Sequence, residues 1–149
     1  LCVVGQNPSD ANEHVADKTI QFLERLVVSS YPRYRAIMML NLYTRVDKHK
    51  EFSDVDFYSV NWLDPIEQAS IDHTDFLMVY GLLCRQGAYD FLARASVLRN
   101  LLLPKEKHAF FKLASDSPTT YAPHPGNRKT IGYRTLNVRL ASYAFEDVP

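Results

Sequence analysis

Residues 1–40 read LCVVGQNPSDANEHVADKTIQFLERLVVSSYPRYRAIMML, and this stretch decides the fold. Leu1–Val4 is a short apolar run closed by Gly5-Gln6-Asn7-Pro8, and Ala36–Leu40 is a second run closed by Asn41. Short runs of residues that suit a pleated sheet, stopped by turn chemistry, read as strands buried on both faces. Between them Ile20, Leu23, Leu26 and Val27 share one face of a helix, with Asp17 and Thr19 near its start. Strand, helix, strand over this length leaves room for a right-handed crossover that returns the chain to a parallel neighbour. The sequence starts at Leu1 inside an apolar run, so the first strand reads as one entered part-way.

Working outward, Phe76–Tyr80 is a third run of the same kind, closed by Gly81. Gly87–Leu103 carries Phe91, Leu92, Ala95, Leu98 and Leu102 at helical spacing, with Pro104 as a stop signal. A short helix is expected over Pro65–Ile71, where Asp64 suits the cap and Pro65 the first helical position. A fourth strand falls in either Ala109–Leu113 or Thr119–Ala122, both of which run toward Pro123-His124-Pro125. Thr130–Phe145 stays open between helix and strand. The pattern predicts a single α/β domain over residues 1–149, three-layer αβα with a short, mostly parallel central sheet.

Bulk properties narrow the classes. A chain of 149 residues that is 46% hydrophobic can bury a core, which excludes a disordered chain. Seventeen basic residues balance seventeen acidic ones, so no overall field draws it to nucleic acid or a membrane, and any such partner needs a local patch. Cys2 and Cys84 lie in or beside apolar runs, where a free thiol packs as a small hydrophobe, so no disulfide is expected. No apolar stretch approaches the roughly 20 residues needed to span a bilayer, which points to a soluble cytoplasmic protein with no membrane partner. The glycine fingerprints for dinucleotides and nucleoside triphosphates are absent. The five histidines, His14, His49, His73, His108 and His124, make no metal-ligand spacing, so no metal and no cofactor is expected. Ser9, His14 and Asp17 can be drawn as a hydrolase triad, but Ser9 lacks the elbow that exposes such a nucleophile, and Asp17 reads as the helix start.

In a parallel sheet the carboxyl ends of the strands point one way and ligands bind beyond them. The turns to search are therefore Gln6-Asn7 after the first run, Asn41 after the second, Gly81 after the third, and Pro123-His124-Pro125-Gly126. Singly, each is ordinary: Asn and Pro make turns, and a His between prolines makes a rigid bend. Together, at equivalent strand ends, they point to one pocket.

These residues resemble the motifs of the uracil-DNA glycosylase superfamily. Its first motif resembles Gly5-Gln6-Asn7-Pro8, its middle strand Met39-Leu40-Asn41 followed by Leu42-Tyr43-Thr44-Arg45, its third strand end Val79-Tyr80-Gly81, and its last motif Ala122-Pro123-His124-Pro125, in the family's order. A closer resemblance, running most of the length, is to a bacterial and phage family catalogued as domain of unknown function 1643. It rests on Asn7-Pro8-Ser9 with Ala11, then Asp17, Thr19 and Ile20, then Asn41-Leu42 with Arg45, and His124-Pro125.

The glycosylase resemblance implies extrusion of a nucleotide into a snug pocket. Asn7 and His124 would be catalytic, Asn7 positioning water and His124 donating to the departing base. Asn41, with Gln6, would bind the base, since an amide offers both donor and acceptor. The sequence departs from that family in two places: Ser9 to Ile20 contains no aromatic residue to stack on a base, and Gly126-Asn127 follow the last motif in place of a small hydroxyl residue and proline. From Ser117 to Phe145 there is no acidic residue, while Arg128, Lys129, Arg134 and Arg139 are basic. Arg128 and Lys129 would then meet phosphates, with a merely solvated surface as the competing reading. Trp62 reads either as a lid on the pocket or as packing at the core rim. The expected partner is DNA or a nucleotide, in DNA base excision or simple base recognition; the alternatives are a non-catalytic module on the same scaffold that binds nucleic acid or a protein, and a small-molecule enzyme of another kind, since one fold hosts many functions.

Overall fold

A computed structural model describes residues 1–8, 17–46, 62–86, 89–116, 118–134 and 137–149. The central strands are those with the most apolar runs. β1 (Cys2–Gly5) is buried at every residue and lies between β2 (Met38–Asn41) and β3 (Asp75–Met78), parallel to both. β6 (Ala109–Ala114) continues the sheet parallel to β3, and β7 (Arg139–Ser142) closes it antiparallel to β6, giving the order β2-β1-β3-β6-β7. Two short strands between them, β4 (Arg85–Gln86) and β5 (Tyr89–Asp90), form a separate antiparallel ribbon.

The protein is thus α/β with a mixed five-stranded sheet, which corrects the expected short, mostly parallel one. The added strand comes from the segment that sequence left open, where no single period was legible. β6 also decides between the two candidate fourth strands. Residues 119–122 instead run beside it, with the Lys112 ammonium donating to the carbonyls of Thr119 and Thr120.

Side-chain alternation along β1 and β3 sorts the core onto two faces. Val3, Leu77 and Val79 join Phe22 and Leu23 of α1 (Lys18–Ser30) on one side. Cys2, Val4, Phe76 and Met78 join α2 (Asp64–Asp72) and α3 (Phe91–Leu102) on the other. β2, by contrast, is an edge strand with Met38 43% exposed, so its apolar run is not buried on both faces as expected.

Local chemistry sets the helix ends. Asp17 caps α1 as expected, its carboxylate accepting from the Ile20 amide at 2.9 Å. Asp64 is not the cap of α2 but its first residue; the cap is Leu63, which makes no side-chain bond, and Asp64 and Glu67 instead face the positive end of the helix dipole. α3 starts at Phe91, later than the spacing suggested, because Asp90 caps it through Ala93 and Tyr89–Asp90 is drawn back against Arg85–Gln86. Gly87, where that helix was expected to begin, lies outside the described residues, as do Ser9, Ala11, His14, His49 and Ser117. Among the described helices none is long and apolar enough to cross a membrane.

The two cysteines sit in opposite environments. Cys2 is buried in β1, and burial pushes its thiol up to about 12 against the opposing effect of the nearby N-terminal charge. Cys84 is exposed. Because the thiolate is the reactive form, a thiol reagent at neutral pH is expected to label Cys84 alone in the native protein and both cysteines in denaturant. Equal labelling of the two under native conditions would place β1 outside the core.

Candidate functional site

β1 and β2 end side by side, with Gly5 opposite Asn41. Pairing continues past the strands: the Leu42 amide donates to Gly5 at 3.0 Å and the Tyr43 amide to Gln6 at 2.8 Å. β3 leads out through Tyr80 to Gly81, whose φ of 75° lies in the left-handed region where a side chain is strained. From there the Gly81 amide donates to the Ala122 carbonyl at 2.9 Å, which ties the β3 exit to the Pro123-His124-Pro125 segment.

The result is a cavity of about 760 Å³ at the carboxyl edge of β1, β2 and β3, lined by Gln6, Asn7, Asn41 and His124 together. The parallel strands β1 and β2 deliver Gln6, Asn7 and Asn41 to one rim, and the bond between Gly81 and Ala122 brings His124 to it. Asn41 is half-buried, and its Oδ1 is enclosed without a hydrogen-bond partner among the described residues. Gly5 makes room for it, since a Cβ there would lie 2.7 Å from that oxygen. Gln6 turns its amide to the Leu82 carbonyl at 3.0 Å and so also braces the loop after β3.

His124 is oriented from both ring nitrogens. Nδ1 accepts from the Gly126 amide at 3.0 Å, and an amide can only donate, so the neutral ring carries its proton on Nε2. Nε2 lies 3.5 Å from Thr19 Oγ1, which is in turn 3.0 Å from the Tyr133 hydroxyl. Tyr133 reaches the cavity through a tight turn in which the Asn127 carbonyl collects the amides of Thr130, Ile131 and Gly132. Tyr80, another lining residue, bonds the Tyr143 hydroxyl at 2.7 Å; burial pushes its phenol above the usual range, the bond to Tyr143 opposes this, and the Asp147 charge adds to it.

The family model described as a protein of unknown function, DUF1643, matches residues 1–125. The chain belongs to the DUF1643 family. The matched span of this DUF1643 chain takes in Gln6, Asn7, Asn41 and His124 and stops short of Tyr133 and β7. No curated protein and no solved structure matches it.

Arg128, Lys129 and Trp62 are not among the residues that line the DUF1643 cavity. Arg128 and Lys129 are exposed, on the turn just beyond the lining residues Gly126 and Asn127, and neither lines the cavity. Arg134 and Arg139 are also exposed. Trp62 is no lid: it is buried in the core, with the guanidinium of Arg94 4.8 Å from its ring. Ser9 and His14 lie outside the described residues, while Asp17 lines the cavity at the start of α1. Among the described residues no group of His, Cys, Asp and Glu is placed to hold a metal ion.

Sequence reasoning missed Tyr133, Asn127 and the role of Thr19. Thr19 carried a partial signal, since it lies in the first turn of the helix that follows the first strand. Tyr133 carried none, because its approach depends on the turn around Asn127.

Proposed function

We propose that this cavity receives a nucleobase in the manner of the uracil-DNA glycosylase superfamily. Asn41 reads the polar edge of the base, with Gln6 bracing the wall beside it. His124 donates its Nε2–H to a base oxygen, and Asn7 positions water. One observation carries the reading: Asn7, Asn41 and His124 line a single cavity of about 760 Å³, within the usual range for small-ligand sites. The unclaimed oxygen of Asn41 and the fixed tautomer of His124 support it further. In base excision, water oxygen would bond to the sugar C1′ as the C1′–N bond breaks and its electron pair leaves with the base, and the proton that water loses would end on the departed base. Arg128 and Lys129, exposed beside the cavity, are suited to the phosphates of a nucleic acid held across its mouth.

A second reading, binding without turnover, is favoured by one feature. Asp17 is the sole carboxylate among the described lining residues, and one of its oxygens is engaged in capping α1. An amide at Asn7 cannot take a proton from water.

The deciding experiment measures uracil release from single- and double-stranded DNA by the wild type and by Asn7→Ala and His124→Ala. Release that both variants lose supports base excision. Salt-sensitive DNA binding without release selects the binding module, and neither release nor binding removes the nucleobase reading.

A further inference from the structure

We infer that Thr19 and Tyr133 are positioning residues for His124: two hydroxyls from opposite ends of the chain hold its Nε2–H at the cavity wall and yield it to an acceptor atom of the ligand. The inference rests on the proposed donor role of His124. Because Nδ1 is taken by the Gly126 amide, the ring can offer only its Nε2 proton. That proton faces Thr19 Oγ1 at 3.5 Å, longer than a well-formed hydrogen bond, whereas Thr19 and Tyr133 lie 3.0 Å apart, a full bond. The hydroxyls therefore grip each other and hold the imidazole loosely.

Hydrogen counting gives the consequence. Nε2–H, the Thr19 hydroxyl and the Tyr133 hydroxyl bring three hydrogens to the two contacts joining them, so one is left over whichever way the hydroxyls turn. Of these two contacts, the one to Nε2 that a ligand oxygen would replace is the weaker. Thr19 is buried, so its hydroxyl has little water to turn to, and α1 fixes its place through the Asp17 cap. Tyr133 is fixed by the edge-to-face contact of its ring with Phe22, at 6.2 Å between centroids. Gly126 keeps the arrangement tight: a Cβ there would come within 2.9 Å of the Tyr133 hydroxyl and 3.1 Å of His124 Nδ1.

The test uses Thr19→Val, which keeps the shape and removes the hydroxyl, Thr19→Ser, which keeps the hydroxyl, and Tyr133→Phe. Two quantities are measured on the folded protein: the ¹⁵N shifts of the His124 ring without ligand, and affinity for uracil and for a uracil-containing single-stranded oligonucleotide. Thr19→Val is expected to move the Nε2 shift and to weaken binding about tenfold, with recovery in Thr19→Ser and a smaller loss in Tyr133→Phe. Wild-type ring shifts in Thr19→Val, or equal losses in Thr19→Val and Thr19→Ser, overturn the inference, because the methyl group and not the hydroxyl would then matter. If the wild type binds neither probe, the nucleobase reading fails. The ligand-free ring shifts still decide whether the hydroxyls orient His124.

Discussion

Replacing Arg94 with alanine is expected to destabilise the fold by about 3–5 kcal/mol, measured by urea denaturation. Arg94 sits on α3 with 1% of its surface exposed. Burial pulls its guanidinium below the usual arginine range, an effect the Tyr43 hydroxyl partly opposes. Its retention there is explained by what it touches. Nη1 donates to the Leu42 carbonyl at 2.5 Å, and the guanidinium carbon lies 3.6 Å from the Tyr43 ring centroid and 4.8 Å from that of Trp62. Such stacking over desolvated aromatic faces contributes about 2 kcal/mol or more at buried sites. Alanine would leave a cavity, an orphaned carbonyl and two aromatic faces without their partner. Arg94→Met, which fills the space without the charge, is expected to lose distinctly less. A loss below about 1 kcal/mol for Arg94→Ala would contradict this account.

The same contacts join the core to the site. Leu42 follows Asn41 directly, and the Tyr43 hydroxyl accepts from the Asp90 amide at 2.8 Å, at the cap of α3. The end of β2 is therefore clamped by α3 from behind, and part of the stability contributed by Arg94 goes into fixing the place from which Asn41 reaches the cavity. Arg94→Met separates the two effects, since it restores volume but not the bond to Leu42.

β1 and β3 were legible in the sequence because central strands are apolar on both faces, and so was α1, whose capping aspartate precedes a clean helical stripe. The edges were harder to read. β2 begins with the exposed Met38, and β7 alternates too briefly to distinguish strand from helix. Arg94 shows a different limit. It occupies the buried face of α3, three residues after Phe91 and four before Leu98, so its spacing announced burial while its charge argued for the surface. Spacing was the better guide.

The site divides the same way. Gln6, Asn7, Asn41 and His124 could be gathered from sequence because each follows an apolar run or borders a proline bend, and parallel strands leave few places for such residues to go. The exposure of Arg128 and Lys129 was legible from composition; that they stand outside the cavity was not, since one turn decides it. Tyr133 supplies an aromatic residue to the wall from a segment far from the first motif, which is followed by none from Ser9 to Ile20.

Gly5→Ala is expected to weaken binding of uracil or a uracil-containing oligonucleotide about 100-fold, the loss that follows when a buried polar contact worth roughly 1–3 kcal/mol is misplaced. Gly5 has no left-handed φ, so its backbone tolerates alanine, and what alanine lacks is space. The new Cβ would lie 2.7 Å from Asn41 Oδ1 and 2.7 Å from Met39 Cε. The methionine methyl is the end of a flexible chain and can swing away. The Asn41 amide has fewer torsions and must leave the position from which it lines the cavity. Affinity should therefore fall much further than stability. Comparison of Gly5→Ala, Asn41→Ala and the double variant checks the route: if the methyl group acts through the amide, the double variant binds no worse than the weaker single variant. Additive losses would mean that the methyl group narrows the cavity on its own, and that Asn41 is not what Gly5 makes room for.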